Sequence, residues 1–300
     1  MLDRRSFLAF AGALAAGRTL GRSGGDTLDR LVDSLGDAPA KKLRGIGVQL
    51  YTVRDEMKKD VAATLAHVAK IGYKEVELAG LFDKTPAEFK KLLDDNGLRA
   101  PSAHMGIGTP DEWAKSLDAA KTLGCEYVTV PWIDEKQRQS IDDYKKIAEG
   151  FNKAAEQANA AGLLFAYHNH DFELKPMGGE VPLDVIYAST DPKLVNFEMD
   201  IYWMVHGGAD PLAFLKKHSG RIVMVHAKDA TAAPDHKMVD VGKGTIPFKK
   251  ILPGFLDDAP KNVKPKHVFV EHDQPADPWA SITYSYNTLS KLLGLQNATA

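Results

Sequence analysis

The sequence is poor in three features that would each point to a particular class of protein. Only one cysteine, Cys125, occurs among 300 residues, which excludes an internal disulfide and a cysteine-rich zinc module. No run of about 18 apolar residues is present, so we expect no membrane-spanning helix in the mature chain. Neither charge is in large excess: 38 Lys and Arg face 40 Asp and Glu, for a formal net charge of −2. This balance argues against a dedicated nucleic-acid-binding protein.

What is present is the composition of a soluble globular protein. Hydrophobic residues make up 44% of the chain and charged residues 26%, so there are enough apolar side chains for one large core. The length fits either two ordinary domains or one α/β barrel of about 250 residues. A disordered chain is excluded, because such chains have few apolar residues and a high net charge.

The N-terminus has the pattern of an export signal. Arg4 and Arg5 precede Phe7 and a short uncharged stretch rich in alanine and glycine, which contains an A-x-A-like cleavage site at residues 13–15. The pattern predicts a twin-arginine-like signal peptide over residues 1–25, a linker over 26–44 and a folded protein exported to the periplasm. The alternative is a basic N-terminal tail.

From residue 45 onward, short apolar runs alternate with segments of helical periodicity. Glycines between a helical segment and the next run suit helix C-caps, as at Gly72, Gly97, Gly124 and Gly162. The eight apolar runs are residues 46–50, 74–79, 98–104, 125–131, 163–169, 194–200, 221–227 and 267–272. Eight strand–helix units favour an α/β fold of the closed (β/α)₈ TIM-barrel type over residues 45–295, rather than an open doubly wound sheet. Cys125 begins one run, and we assign it to the core.

Polar residues stand where these strands end, which is the face that carries the chemistry in such barrels. The strand-end candidates are Gln49, Glu77, His104, Trp132, His168, His170, Glu173, Asp200, His226, Lys228 and Glu271. Carboxylates and imidazoles that converge on one point need a positive charge between them, and a divalent cation is the simplest neutraliser. Taken singly, a strand-end histidine could be packing and Asp200 could cap a helix. Carboxylates and imidazoles at the ends of four adjacent strands, taken together, indicate a metal site.

The chain from about residue 45 to 293 resembles the sugar phosphate isomerase/epimerase family, the xylose isomerase-like TIM barrels. The resemblance rests on six segments, GVQLYTVRDE (47–56), GYKEVELAG (72–80), YHNHDFEL (167–174), FEMDIYW (197–203), GRIVMVHAKD (220–229) and FVEHDQP (269–275). The family implies one catalytic divalent metal held by residues at the ends of strands five to eight.

Carried over residue by residue, the resemblance assigns three metal ligands, Asp200, His226 and Glu271. The sequence departs from the family at strand five, where His168 stands in place of the usual glutamate. Either His168 binds the metal, which we rank first, or Glu173 folds back to supply an oxygen. The expected ion is Mn²⁺, with Zn²⁺, Co²⁺ or Mg²⁺ as alternatives.

The chemistry that the resemblance implies is proton abstraction next to the carbonyl of a keto-sugar or cyclitol, in an isomerase or epimerase. We expect catalytic roles for Glu271, His170, Glu173 and Lys228, and substrate contacts from Gln49, Glu77, His104, Trp132 and Trp203. Predicted export, with no evident phosphate-binding loop, favours a non-phosphorylated sugar. The alternatives are a lyase performing β-elimination on a 3-keto-glycoside and a non-catalytic carbohydrate-binding barrel. A repair endonuclease would need a basic surface. A homo-oligomer is compatible with the sequence.

Overall fold

The computed structural model describes residues 43–218, 220–257 and 266–295. The predicted export signal and all but the last two residues of the predicted linker lie outside these ranges, so both remain predictions. Among the described residues, no helix has the length and apolar character needed to cross a membrane.

Eight parallel strands close into a barrel, and each lies within one of the eight apolar runs of the sequence. The barrel strands are β1 (Gly47–Gln49), β2 (Glu75–Leu78), β3 (Arg99–His104), β4 (Tyr127–Val130), β5 (Leu164–His168), β6 (Val195–Asp200), β7 (Ile222–Ala227) and β10 (His267–Val270). Two short strands after β7, β8 (Asp229–Ala230) and β9 (Met238–Val239), form an antiparallel hairpin. The prediction of a (β/α)₈ TIM barrel is confirmed.

The barrel closes between its first and last strands, where Gly47 lies opposite Phe269 and Val48 lies opposite Val270. A Cβ atom at position 47 would clash with the Phe269 ring, so glycine is required at this contact. Phe269 belongs to a small cluster of buried strand side chains, and its ring centroid is 6.1 Å from that of His226. The apolar filling of the barrel therefore reaches the polar residues at its mouth.

The helices between the strands begin and end where the sequence supplies capping residues. Thr85 and Thr109 each form a capping box with a glutamate three residues later, with proline in the first turn. The helices are α1 (Arg54–Lys59), α2 (Val61–Ile71), α3 (Pro86–Asp95), α4 (Pro110–Leu123), α5 (Ile141–Ala160), α6 (Pro182–Ser189), α7 (Ile201–His206), α8 (Pro211–Lys217), α9 (Phe248–Asp257) and α10 (Pro278–Leu292). All four predicted C-cap glycines have positive φ, with Gly124 at φ 77° after α4. Cys125 is buried, as predicted.

Candidate active site

The carboxyl ends of the barrel strands bring four potential metal ligands together. His168 ends β5, Asp200 ends β6, His226 lies on β7 and Glu271 follows β10. One ligand atom from each residue lies within 4.8 Å of the others, and all four side chains are buried. His168 Nε2 is 3.3 Å from Asp200 Oδ2, and His226 Nδ1 is 2.7 Å from Glu271 Oε2. Two imidazole nitrogens and two carboxylate oxygens form a donor set that suits Mn²⁺, Zn²⁺, Co²⁺ or Fe²⁺.

Asp200 is held in place by the helix that follows it. Its Oδ1 caps α7 by accepting a hydrogen bond from the backbone N–H of Trp203 at 2.9 Å, which leaves Oδ2 directed at the ligand group. The backbone N–H of Asp200 donates to Asn169 Oδ1 at 3.1 Å. The sequence thus provides one aspartate with two roles, since the helix cap fixes the orientation of the ligand oxygen.

The orientation of His226 is fixed from beneath the ligand group. Its Nε2 lies 2.7 Å from Glu77 Oε2 and its Nδ1 lies 2.7 Å from Glu271 Oε2. Burial disfavours the charged ring, but the surrounding carboxylates, Glu198 foremost, raise the pKa of His226 well above its usual value. A metal at this site would displace the Nδ1 proton, while Nε2 kept its hydrogen bond to a carboxylate.

A second buried layer of polar side chains supports this arrangement. The Gln49 amide accepts a hydrogen bond from the backbone N–H of Tyr51, so its NH₂ group faces Glu77 Oε2 at 2.7 Å and His104 Nδ1 at 3.2 Å. His104 Nε2 lies 3.0 Å from Glu198 Oε2. We predicted Gln49 and Glu77 as substrate contacts, but the structure places both in this fully buried layer, with no exposed surface. They support His104 and His226 from below.

Glu198 is a residue of this layer that the sequence interpretation missed. It precedes the ligand Asp200 by two positions on β6, and alternate residues of a strand point to the same side. Assigning Asp200 to the barrel interior therefore also assigns Glu198 to it. The alternation of side chains along the strand is the feature of the sequence from which the position of Glu198 could have been predicted.

Lys228 places its ammonium group against the ligand carboxylates. Its Nζ lies 3.0 Å from Asp200 Oδ2, 2.7 Å from Glu271 Oε2 and 2.7 Å from Asp273 Oδ1. The side chain is buried, and burial alone would lower its pKa, but the three carboxylates raise the pKa well above its usual value. Lys228 therefore supplies a permanent positive charge. It contacts the carboxylate oxygens of Asp200 and Glu271 that a metal would also use.

Glu173 lies apart from the ligand group. The 3₁₀ turn over Phe172–Leu174 directs its carboxylate onto the Tyr167 hydroxyl and the backbone N–H of His170, the second at 2.9 Å. The geometry therefore places His168, not Glu173, at the strand-five position of the site. Burial raises the pKa of Glu173 from 4.5 to about 7, and its side chain does not line the cleft described below.

Replacing Glu173 with Gln should remove one component of the pH dependence of stability. Between about pH 4.5 and 7 the folded protein holds this proton more tightly than the unfolded chain, so stability falls as pH rises through that window. The loss is on the order of 3 kcal/mol for a group shifted this far. Urea unfolding at pH 5, 6, 7 and 8 should show a smaller decline for Glu173→Gln than for the wild type. Glu156→Gln, on the exposed face of α5, should match the wild type, and equal slopes for all three proteins would contradict the assignment.

A cleft of about 520 Å³ opens above the ligand group, within the range of small-molecule sites. It is lined by Tyr51, Ala79, His104, Pro131, Trp132, His168, His170, Asp171, Trp203, Lys228, Glu271 and Asp273. Three of the five predicted substrate contacts, His104, Trp132 and Trp203, are among them. Of the two ligand carboxylates, Glu271 lines the cleft and Asp200 does not.

His170 stands in the wall of the cleft as a neutral ring. It packs between Phe172, at 5.6 Å between ring centroids, and Trp203, at 5.3 Å. Burial, together with the neighbouring His168 and Lys228, lowers the pKa of His170 well below its usual value. An uncharged imidazole at the cleft can accept a proton.

Comparisons with known proteins agree with this fold. The model of the xylose isomerase-like TIM barrel family matches residues 65–257. An inosose dehydratase of Geobacillus kaustophilus is 27% identical over 191 residues, which are 55% of this chain and 60% of that protein. The chain thus spans about 60% of the length of the first curated relatives that it matches.

Solved structures extend the likeness over most of the chain. A sugar phosphate isomerase/epimerase from Parabacteroides distasonis is 28% identical with a TM-score of 0.70, covering 82% of this chain and 97% of that one. The IOLI protein, crystallised with a zinc atom, shares the fold at 16% identity and a TM-score of 0.65, over 85% of this chain and all of its own. With the family model matching well over half of its residues, this chain belongs to the xylose isomerase-like TIM barrel family.

Proposed function

We propose that the protein is a divalent-metal-dependent isomerase or epimerase that removes a proton next to the carbonyl of a non-phosphorylated keto-sugar or cyclitol. The observation that carries the proposal is the convergence of four buried ligand atoms within 4.8 Å at the floor of a cleft of small-molecule size. Mn²⁺ is the ion we expect, with Zn²⁺, Co²⁺ and Mg²⁺ as alternatives.

The cleft favours a substrate without a phosphate group. Phosphate recognition uses arginine or lysine side chains or the N-terminus of a helix. Among the described residues that line the cleft, Lys228 is the one lysine or arginine, and it already contacts three carboxylates. Hydroxyl groups suit the remaining polar lining better, because Asp171, Asp273 and Glu271 can accept their hydrogen bonds.

The side chains of the site have the arrangement that enolisation needs. A divalent ion held by His168, Asp200, His226 and Glu271 would polarise the substrate carbonyl and stabilise the negative charge that develops on its oxygen. Glu271 is the ligand carboxylate that reaches the cleft, and we assign it as the base that takes the proton. His170, uncharged in the cleft wall, is placed to accept a proton, and Lys228 keeps Glu271 ionised.

One observation favours a lyase as the second candidate. Epimerisation by two bases needs a proton acceptor on each face of the substrate, and Glu173 is turned away from the cleft by its bonds to Tyr167 and His170. A β-elimination from a keto-glycoside or a related dehydration needs only one base, because Glu271 can take the proton and, once protonated, pass it to the leaving group. The curated relatives at 25–27% identity are named inosose dehydratases, which carry out a dehydration.

The deciding experiment is a solvent exchange assay. Protein loaded with Mn²⁺ is incubated in D₂O with keto-sugars, inososes and 3-keto-glycosides, and deuterium next to the ketone is followed by NMR. Exchange that stops with EDTA and returns with Mn²⁺ supports the proposal, and loss of water or of an aglycone identifies the lyase. Sugar binding that EDTA leaves unchanged, with no exchange for any compound, would instead identify a carbohydrate-binding barrel and overturn the enzymatic proposal.

A further inference from the structure

Two aromatic side chains stand exposed at the rim of the cleft. Among the described residues, the exposed large hydrophobic side chains are Tyr51, Trp132 and Tyr284, and the first two line the cleft. Trp132 is 51% exposed and Tyr51 is 43% exposed. Large apolar surfaces left open beside a cleft indicate contact with a ligand.

Both rings are fixed in position before any ligand arrives. The Arg54 guanidinium lies 4.1 Å from the centroid of the Tyr51 ring and donates hydrogen bonds to the backbone oxygens of Tyr51 and Asp273. Trp132 packs at right angles to His170 and Phe172, with centroid distances of 4.6 and 4.9 Å. Rigid rings bind a ligand at low cost in conformational entropy.

The cleft volume of about 520 Å³ exceeds that of a single sugar ring, and Trp132 lies one side chain further from the ligand group than His170. His168, at the floor, lies 4.9 Å from His170 between ring centroids, and His170 lies 4.6 Å from Trp132. A keto-sugar held over His168 and His170 would therefore leave Trp132 free to contact whatever is attached to it.

The polar residues of the rim indicate what that attachment is. Asp171 and Asp273 line the same cleft, and each carboxylate has acceptor positions beyond its lysine partner, so a group that packs on the aromatic rings can donate hydroxyl hydrogen bonds to these carboxylates. A pyranose ring can do both, because its C–H face packs on an aromatic ring while its hydroxyls point outward.

We propose that Tyr51 and Trp132 form a second sugar subsite, so that the substrate is a glycoside in which the keto-sugar is joined to another sugar ring. The inference rests on the proposed function for the identity of the reacting ring. It adds the recognition of a second ring at the rim.

The test measures binding without turnover. Metal-depleted full-length protein is titrated calorimetrically with glucose, with the disaccharides cellobiose, maltose and trehalose, and with phenyl β-glucoside. We expect at least one disaccharide to bind about tenfold or more tightly than glucose. Trp132→Ala and Tyr51→Ala should each lower the disaccharide affinity more than the glucose affinity, while Tyr284→Ala, an exposed aromatic outside the cleft, should behave as wild type.

Three results would overturn the subsite: no preference for any disaccharide, no detectable binding of any compound, or tight binding of phenyl β-glucoside alone. An equal loss of glucose and disaccharide affinity in Trp132→Ala would also contradict it. Because these titrations need neither metal nor a ketone, a failure here is separate from a failure of the D₂O exchange assay.

Discussion

Replacing Glu271 with Gln should lower the rate of deuterium exchange by about 10²- to 10⁴-fold, the contribution typical of a positioned general base. Glu271 is the one ligand carboxylate that both joins the metal group and lines the cleft. A glutamine has nearly the same shape and keeps an oxygen that can bind a metal, but it cannot accept the substrate proton. The loss should therefore appear in the chemical step.

One further variant, Asp200→Asn, separates the role of the base from that of a metal ligand. Asp200→Asn removes a charged ligand that does not reach the cleft, so it should lose bound Mn²⁺ and recover part of its exchange rate when the metal concentration is raised. Glu271→Gln should stay slow at every metal concentration. Metal content by mass spectrometry and exchange by NMR check both, with Glu156→Gln as the surface control. A Glu271→Gln protein that binds metal and exchanges at the wild-type rate would exclude Glu271 as the base.

The fold could be predicted from the sequence because its signals are local. Strands buried on both faces have continuous apolar runs, and helices that end at glycine separate them. Each of the eight observed strands lies inside its predicted run, and the differences are confined to one or two residues at the ends, where hydrogen bonding stops before hydrophobicity does.

The site could be predicted only in part, and the reason is geometric. Strand ends share one edge of a barrel, so His168, Asp200, His226 and Glu271 could be placed together from their positions alone. The sequence does not show how deep in the barrel a side chain lies. Glu77 was therefore predicted to contact the substrate, although it lies beneath the cleft.

The positions of loop residues were harder to predict than those of strand residues, because a turn can direct a side chain either into the cleft or away from it. The direction of Glu173 is decided by the 3₁₀ turn that carries it toward Tyr167. Tyr51 and Asp273 each lie two or three residues beyond the end of a strand, and both line the cleft because of the loops that hold them. The periodicity of the strands does not extend to these positions.

Lys228→Met should destabilise the metal-free protein by about 3–5 kcal/mol, the usual result of removing one partner from a buried group of charges. The three carboxylates that contact Lys228 would lose their nearest fixed positive charge, and Asp200 and Glu271 are fully or almost fully buried. Methionine fills a similar volume, so the loss would come from charge and not from an empty space.

A divalent ion should reverse most of that loss, because Lys228 contacts the same carboxylate oxygens that lie in the ligand group. Urea unfolding in EDTA and in Mn²⁺ should show a larger gain on adding metal for Lys228→Met than for the wild type. Lys217→Met, which breaks a surface pair with Asp184, should differ little from the wild type in either condition. If Mn²⁺ stabilised Lys228→Met no more than the wild type, the cation would not be bound by the oxygens that Lys228 now contacts. The proposed metal centre would then have to lie elsewhere.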